Sequence, residues 1–187
     1  MDDFLPLISK CERRLNYISP FLSQASRLEL TNSVLTTLPT YTMCTISLPK
    51  IVIKQIDNYR RHCLWRGAEA NVKEVAKAAW PLVCISKEEG GLGVLNLQTH
   101  NEALLLKHLH KFFNKCNLPW VELVWDKHYR NGRLPNAIAP KGSFWWRDVL
   151  KLVDKYKGMA SVVIYNGQTC LLWDDIWNSQ IRKLQFP

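Results

Sequence analysis

No stretch of this chain approaches the roughly 18 consecutive apolar residues that a membrane-spanning helix needs. The N-terminus, MDDFLPLISK, opens on acids and carries no basic segment ahead of an apolar one, so it does not read as a secretory signal. C-x-x-C pairs are also missing: Cys11, Cys44, Cys63, Cys84, Cys116 and Cys170 stand 19 to 54 residues apart. Structural zinc wants closely spaced ligands, and dense disulfide frameworks belong to small secreted domains. The expectation is a reduced intracellular protein without a membrane partner or a bound metal, its cysteines serving as small apolar side chains. His108 and His110 do not change this, because residues two apart on a helix point to different sides.

Glycine is scarce, with 8 in 187 residues, yet Gly90, Gly91 and Gly93 crowd into four positions. The G-G-x-G run lacks the third glycine and the immediate helix of a dinucleotide fingerprint, and no Gly-Lys-Ser/Thr follows as in a phosphate loop. Glycine tolerates positive φ and close backbone approach, so the element reads as a tight turn or a short bent strand. It sits inside the segment around which the chain is arranged, Trp80–Asn101. That segment has an apolar run with an extended start at Trp80-Pro81, a charged turn at Lys87-Glu88-Glu89 and then a helix start.

What the sequence has in excess is positive charge and tryptophan. Lys+Arg number 25 against 16 Asp+Glu, a net +9, and there are eight tryptophans. A basic surplus favours nucleic acid or anionic surfaces as partners, although a merely solvated basic surface has the same composition. The apolar fraction of 47% and charged fraction of 22% exclude disorder along the whole length.

Residues 4–38 read as helix, turn, helix, interrupted at Pro20. Ser23 or Ser26 can cap the second helix, and Ser26 with Glu29 fits a capping box. Arg27 falls in its first turn, where the helix dipole disfavours a cation, which points to a partner outside the helix such as an acidic side chain or a phosphate. Between Pro39 and Pro49 the pattern permits helix or strand. After Pro49, Val52, Ile56, Tyr59 and Cys63 repeat at helical spacing, with Lys50, Lys54 and Arg61 opposite them and Arg60 and Arg66 on the flanks. Gly67 is placed to close that helix, and residues 68–79 read as a loop or short exposed helix. A second strong helix begins near Thr99, with Glu102 as its capping partner. It carries Leu105, Leu109, Phe112 and Cys116 on one stripe and Lys107, Lys111 and Lys115 along a ridge. Two amphipathic helices, each with a basic side, suggest a groove for a phosphate backbone.

Further helices follow at Trp120–Tyr129 and from Phe144 to about Tyr156, separated by a loop. Residues 161–173 then give a β-hairpin signal around Asn166-Gly167. The hairpin ends in Asp174-Asp175. Neighbouring strand residues face opposite sides, so this pair cannot hold one metal, and no catalytic residue is nominated. The fold expected is mainly α, with a short Gly-rich β element and a C-terminal β-hairpin, in three regions: 1–67, 68–130 and 131–187.

The order of these landmarks resembles a known family. Leu22-Ser23-Gln24-Ala25-Ser26-Arg27-Leu28, then Ser33-Val34-Leu35 and Leu38-Pro39-x-Tyr41-x-Met43, is similar to the "LSxAGR…SVLxxxPxYxM" signature of LINE-type (non-LTR) retrotransposon reverse transcriptases, especially the plant forms. Leu64-Trp65-Arg66-Gly67 follows, then Ala79-Trp80 and Cys84-x-x-Lys87-x-Glu89-Gly90-Gly91-Leu92-Gly93. Asn101, Ala103, Leu104 and Lys107 come next, and Trp173-x-Asp175-x-Trp177 last, each resembling a family element. Ser26 stands where the family has glycine and Ser86 where it has proline. The resemblance implies a helical, thumb-like bundle (1–67) with a helical connector, from a family of RNA-directed DNA polymerases.

In that family the palm aspartates lie upstream, and the Cys/His zinc-binding segment and ribonuclease H domain lie downstream. This stretch would therefore be inactive alone, and the Mg2+ of the intact enzyme would have no site in it. Its implied partners are RNA and DNA in a template–primer duplex, gripped without sequence readout, and the upstream polymerase region. The implied location is the nucleus. Candidate nucleic-acid contacts are Arg27, Lys50, Lys54, Arg60, Arg61, Lys87, Lys107 and Lys111, while most of the tryptophans are assigned to the core. The other reading is a decayed or repurposed remnant acting as a protein-interaction module, or without function.

Overall fold

The computed structural model describes residues 2–16, 22–65, 76–128, 143–161 and 163. After a 3-10 turn at Asp2–Phe4 come α1 (Leu5–Asn16), α2 (Gln24–Leu30) and a π-helical turn (Thr31–Leu35). Next are α3 (Thr40–Thr45), α4 (Lys50–Trp65), the single turn α5 (Trp80–Val83) and α6 (Leu97–Phe113). The series ends with α7 (Pro119–His128), α8 (Phe144–Leu150) and α9 (Val153–Met159). Two compact units divide within α6, Met1–Ala103 and Leu104–Pro187.

The mainly helical expectation holds, but its β component does not: the described residues contain no strand. The Gly-rich element is an irregular loop folded back on itself. The Gly91 N–H donates to the Ser86 carbonyl and the Gly93 N–H to the Ile85 carbonyl, both at 2.9 Å, where a strand would bond to a neighbouring strand. Gly90 (φ +88°) and Gly93 (φ +67°) occupy left-handed backbone, and a Cβ on Gly91 would overlap the Ile85 carbonyl. Most of the expected C-terminal hairpin lies outside the described residues, and Ser161 and Val163, which are described, are not in a strand. Asp174, Asp175 and Gly67 also fall outside them.

Several boundaries shift for local reasons. Trp80 opens a helical turn where an extended start is expected. Ala79 takes the extended conformation (ψ 138°), and Pro81 sits in the first turn, where a missing N–H costs nothing. Ser23 is the cap of α2, its hydroxyl accepting from the Ser26 N–H at 3.2 Å, so the Ser26–Glu29 box does not form the helix start. α6 begins two residues before Thr99 because the Asn96 carboxamide oxygen accepts the Thr99 N–H at 3.1 Å.

In the first unit, α1 and α2 pack on α4. Val52, Ile53, Ile56, Cys63 and Leu64 of α4 are buried, as are Ile8 and Cys11 of α1 and Leu35 of the π turn. Asn101 is a buried polar tie for the link into α4. Its side-chain oxygen accepts the Leu48 N–H (2.8 Å), while its amide donates to the carbonyls of Met43 (2.8 Å) and Ile46 (2.9 Å). Three backbone groups that neither α3 nor α4 can satisfy are thereby paired.

The second unit is built on aromatics. Leu105, Leu109 and Phe112 of α6 meet Trp146, Val149 and Leu150 of α8, with Trp120, Trp125, Trp145 and Tyr156 packed around them. Phe112 lies 5.0 Å from Trp125 and 5.3 Å from Trp146, ring centre to ring centre. These tryptophans are core and its edge, as the sequence reading assigns them.

Candidate nucleic-acid interface

The first basic face belongs to α4. Its sixteen residues bury one stripe, so the remaining side chains are set by helical spacing. Lys50 and Lys54 lie exposed one turn apart on the side away from Val52 and Ile56. Neither has an ion-pair partner among the described residues. Arg61 is half-buried, its guanidinium 5.4 Å from the centre of the Trp80 ring, a cation–π contact that holds it to the surface of the fold.

Arg60 is placed differently from the flanking surface position expected of it. It has no exposure at all. Its guanidinium donates to the Asp57 carboxylate (2.7 Å), the Thr36 hydroxyl (3.0 Å) and the Leu95 carbonyl (2.7 Å), and stands 5.4 Å from the Trp80 ring centre. Burial lowers its pKa while the Asp57 carboxylate opposes that shift. With its donors turned inward, Arg60 ties α4, the π turn and the Gly-rich loop together and is not available to a phosphate. The sequence carried the signal, since position 60 lies four past Ile56 and three before Cys63, on the buried stripe.

Arg27 is half-buried on α2 beside Cys63, whose thiol donates to the Arg27 carbonyl at 3.9 Å. Burial raises the Cys63 pKa, and the Arg27 charge works against that rise. Lys87 is exposed in the turn that starts the Gly-rich loop, and its aliphatic stem runs beside Gly93. Lys107 and Lys111 are exposed one turn apart on the part of α6 that belongs to the second unit. Each unit therefore carries its own pair of exposed lysines.

Among the described residues, no three His, Cys, Asp or Glu side chains gather as metal ligands would. His108 packs edge-on to Trp145 and Trp120 (5.2 and 5.8 Å), whereas His110 meets the Tyr156 hydroxyl at 3.3 Å. Among the described residues no helix is long and apolar enough to cross a membrane. Phe144, directly after the cap of α8, is 64% exposed, which the helical pattern of residues 144–156 does not foretell.

Two curated plant proteins are similar to the chain. It is 33% identical over 184 residues, 95% of its own length, to an Arabidopsis thaliana protein named "putative ribonuclease H protein", of which it spans 29%. It is 25% identical over 142 residues, 75% of its length, to an Arabidopsis thaliana protein named "uncharacterized mitochondrial protein", of which it spans 92%. No family model matches the chain, and no solved structure matches it. The relatives are consistent with a plant retrotransposon-derived protein. They do not speak to a reverse transcriptase thumb or to nucleic-acid binding.

Proposed function

We propose that this chain is the thumb and post-polymerase connector of a plant LINE-type reverse transcriptase, and that it grips a template–primer duplex without reading its sequence. The observation that carries the reading is the α4 face, where Lys50 and Lys54 are exposed and unpaired among the described residues over a fully buried opposite stripe. Such a face can neutralise successive phosphates while releasing counterions. Arg61 and Lys87 extend the set within the first unit, Arg27 contributes from α2, and Arg60 leaves it for a structural role; Lys107 and Lys111 are cations of the second unit by itself. The name of the first relative fits, because the ribonuclease H domain of the family lies downstream of this region. On this reading the polymerase aspartates and their Mg2+ belong to the upstream palm, the natural partner of this stretch, and the isolated chain extends no primer.

The test is binding of an RNA–DNA duplex at several salt concentrations. Affinity should fall steeply with salt, and Lys50→Glu with Lys54→Glu should weaken it by roughly tenfold or more and flatten the slope by about two contacts. Binding indifferent to both salt and charge reversal would sink the reading. A second reading, a short remnant working apart from any polymerase, is favoured by the second relative, which is covered over 92% of its own length. Under that reading the same duplex titration shows no saturable binding.

A further inference from the structure

We propose that the second unit carries a stacking site for unpaired nucleotides, with Phe144 as the platform and Arg147, Lys107 and Lys111 as its phosphate contacts. This rests on the preceding reading only in taking nucleic acid as the partner, and it assigns single-stranded rather than duplex binding to this unit.

α8 buries Trp146, Val149 and Leu150, so its opposite side is presented to solvent by helical spacing. Phe144, Arg147 and Lys151 fall there at i, i+3 and i+7, and all three are exposed. The Phe144 ring is 64% exposed and stands three residues ahead of the exposed Arg147, so an open aromatic face and a cation share one side of α8. It is also held firmly. The Ser143 hydroxyl accepts the Trp146 N–H at 3.3 Å, and the Arg147 N–H bonds to the Ser143 carbonyl, which fixes the first turn that carries the ring. On the flank of the same helix, Trp145 meets His108 of α6 at 5.2 Å. Lys107 and Lys111 are exposed on α6, the helix whose Leu105, Leu109 and Phe112 pack against α8.

The chemistry fits a single strand. An exposed ring offers its face to any base, and flanking cations follow the backbone. The described part of this unit holds eight Lys and Arg against four Asp and Glu, a surplus that attracts a polyanion and repels a basic partner. Lys151 is engaged with Asp148 at 2.7 Å, which leaves Arg147 as the better phosphate contact on α8.

The experiment compares a fluorescein-labelled oligo-U strand with an RNA–DNA duplex of the same length, using the whole chain. Phe144→Ala should weaken the single strand by roughly tenfold and leave the duplex unchanged, and Phe144→Trp should restore it. Lys50→Glu with Lys54→Glu should do the converse. Unchanged melting of each variant confirms that the fold is intact. If Phe144→Ala weakens both probes equally, or neither, the proposal is overturned. If it instead dissolves a dimer of this chain in sedimentation and leaves both probes bound, the face is a protein contact and the proposal falls. Single-strand binding that depends on Phe144, without duplex binding, would uphold this site and overturn the duplex reading. No binding of either probe would overturn both.

Discussion

Arg60 separates what its residue type suggests from what its position requires. An arginine on a basic helix invites a phosphate, yet spacing puts it on the stripe of Ile56 and Cys63, and there it must carry its own counterpart into the core. Asp57, one turn back, supplies it by accepting from one terminal nitrogen, and Thr36 and the Leu95 carbonyl accept from the other. Breaking a buried ion pair strands its partner and costs about 3–5 kcal/mol. Arg60→Ala should therefore lower unfolding stability by roughly that much in urea titration. Arg60→Lys should recover little of it, since an ammonium cannot reproduce the planar fork to three acceptors. A surface phosphate ligand would give the opposite pattern, with normal stability and reduced duplex affinity. The charge was legible in the sequence. Its inward turn could have been read from the 4-3 spacing, but the distant partners Thr36 and Leu95 could not.

At the scale of elements, the amphipathic spacing of α4 and α6 foretold both helices, while their ends were decided by single hydrogen bonds. Asn96 takes the Thr99 N–H, and α6 starts earlier than Thr99 and Glu102 would suggest. The loop before it shows the same limit. Three glycines announced positive φ and close approach, but a bent strand and a folded-back turn need the same freedom, and only the bonds to Ser86 and Ile85 distinguish them. The other end of α6 holds a misfit. The Cys116 N–H reaches the Lys111 carbonyl (3.1 Å) and the Lys115 N–H reaches Phe112 (3.0 Å), a Schellman closure that places Lys115 at φ +44°. Left-handed backbone costs a non-glycine residue about 1 kcal/mol. Lys115 also lies 5.5 Å from the Trp125 ring centre, so the comparison that isolates the backbone is between two variants lacking that cation. Lys115→Gly should exceed Lys115→Ala in thermal stability by about 1 kcal/mol.

For the whole molecule, the basic surplus and the helical class were apparent from composition and periodicity, and Trp120, Trp125, Trp145 and Trp146 found their place in and around the second unit's core. The hairpin signal at Asn166-Gly167 lies beyond the described residues, and no strand stands within them. Alkaline stability is a further property of the folded chain as a whole. Burial in the first unit pushes the Cys11 thiol up to about 11, against the opposing charges of Lys10 and Arg60. Cys63 and Cys84 are raised in the same direction by the same cause. A thiol whose folded pKa lies above its unfolded value binds its proton more tightly when folded. That contribution is complete below about pH 9 and is lost as pH rises towards 11. The urea midpoint should thus decline across that window, and Cys11→Ala should make the decline shallower.

Between α2 and α3 the chain spends one residue more than an α-helix needs: the Thr36 N–H reaches back five positions to Thr31, at 3.0 Å. That extra residue turns the backbone by about 100° and brings Thr36 round to Arg60. Register, and not only residue type, is therefore part of what holds Arg60. Loss of any one codon from 31–35 would leave Arg60, Asp57, Trp80 and Leu95 in the sequence and a smoother helix in front of them. The cluster would nonetheless come apart, because the count of residues had changed.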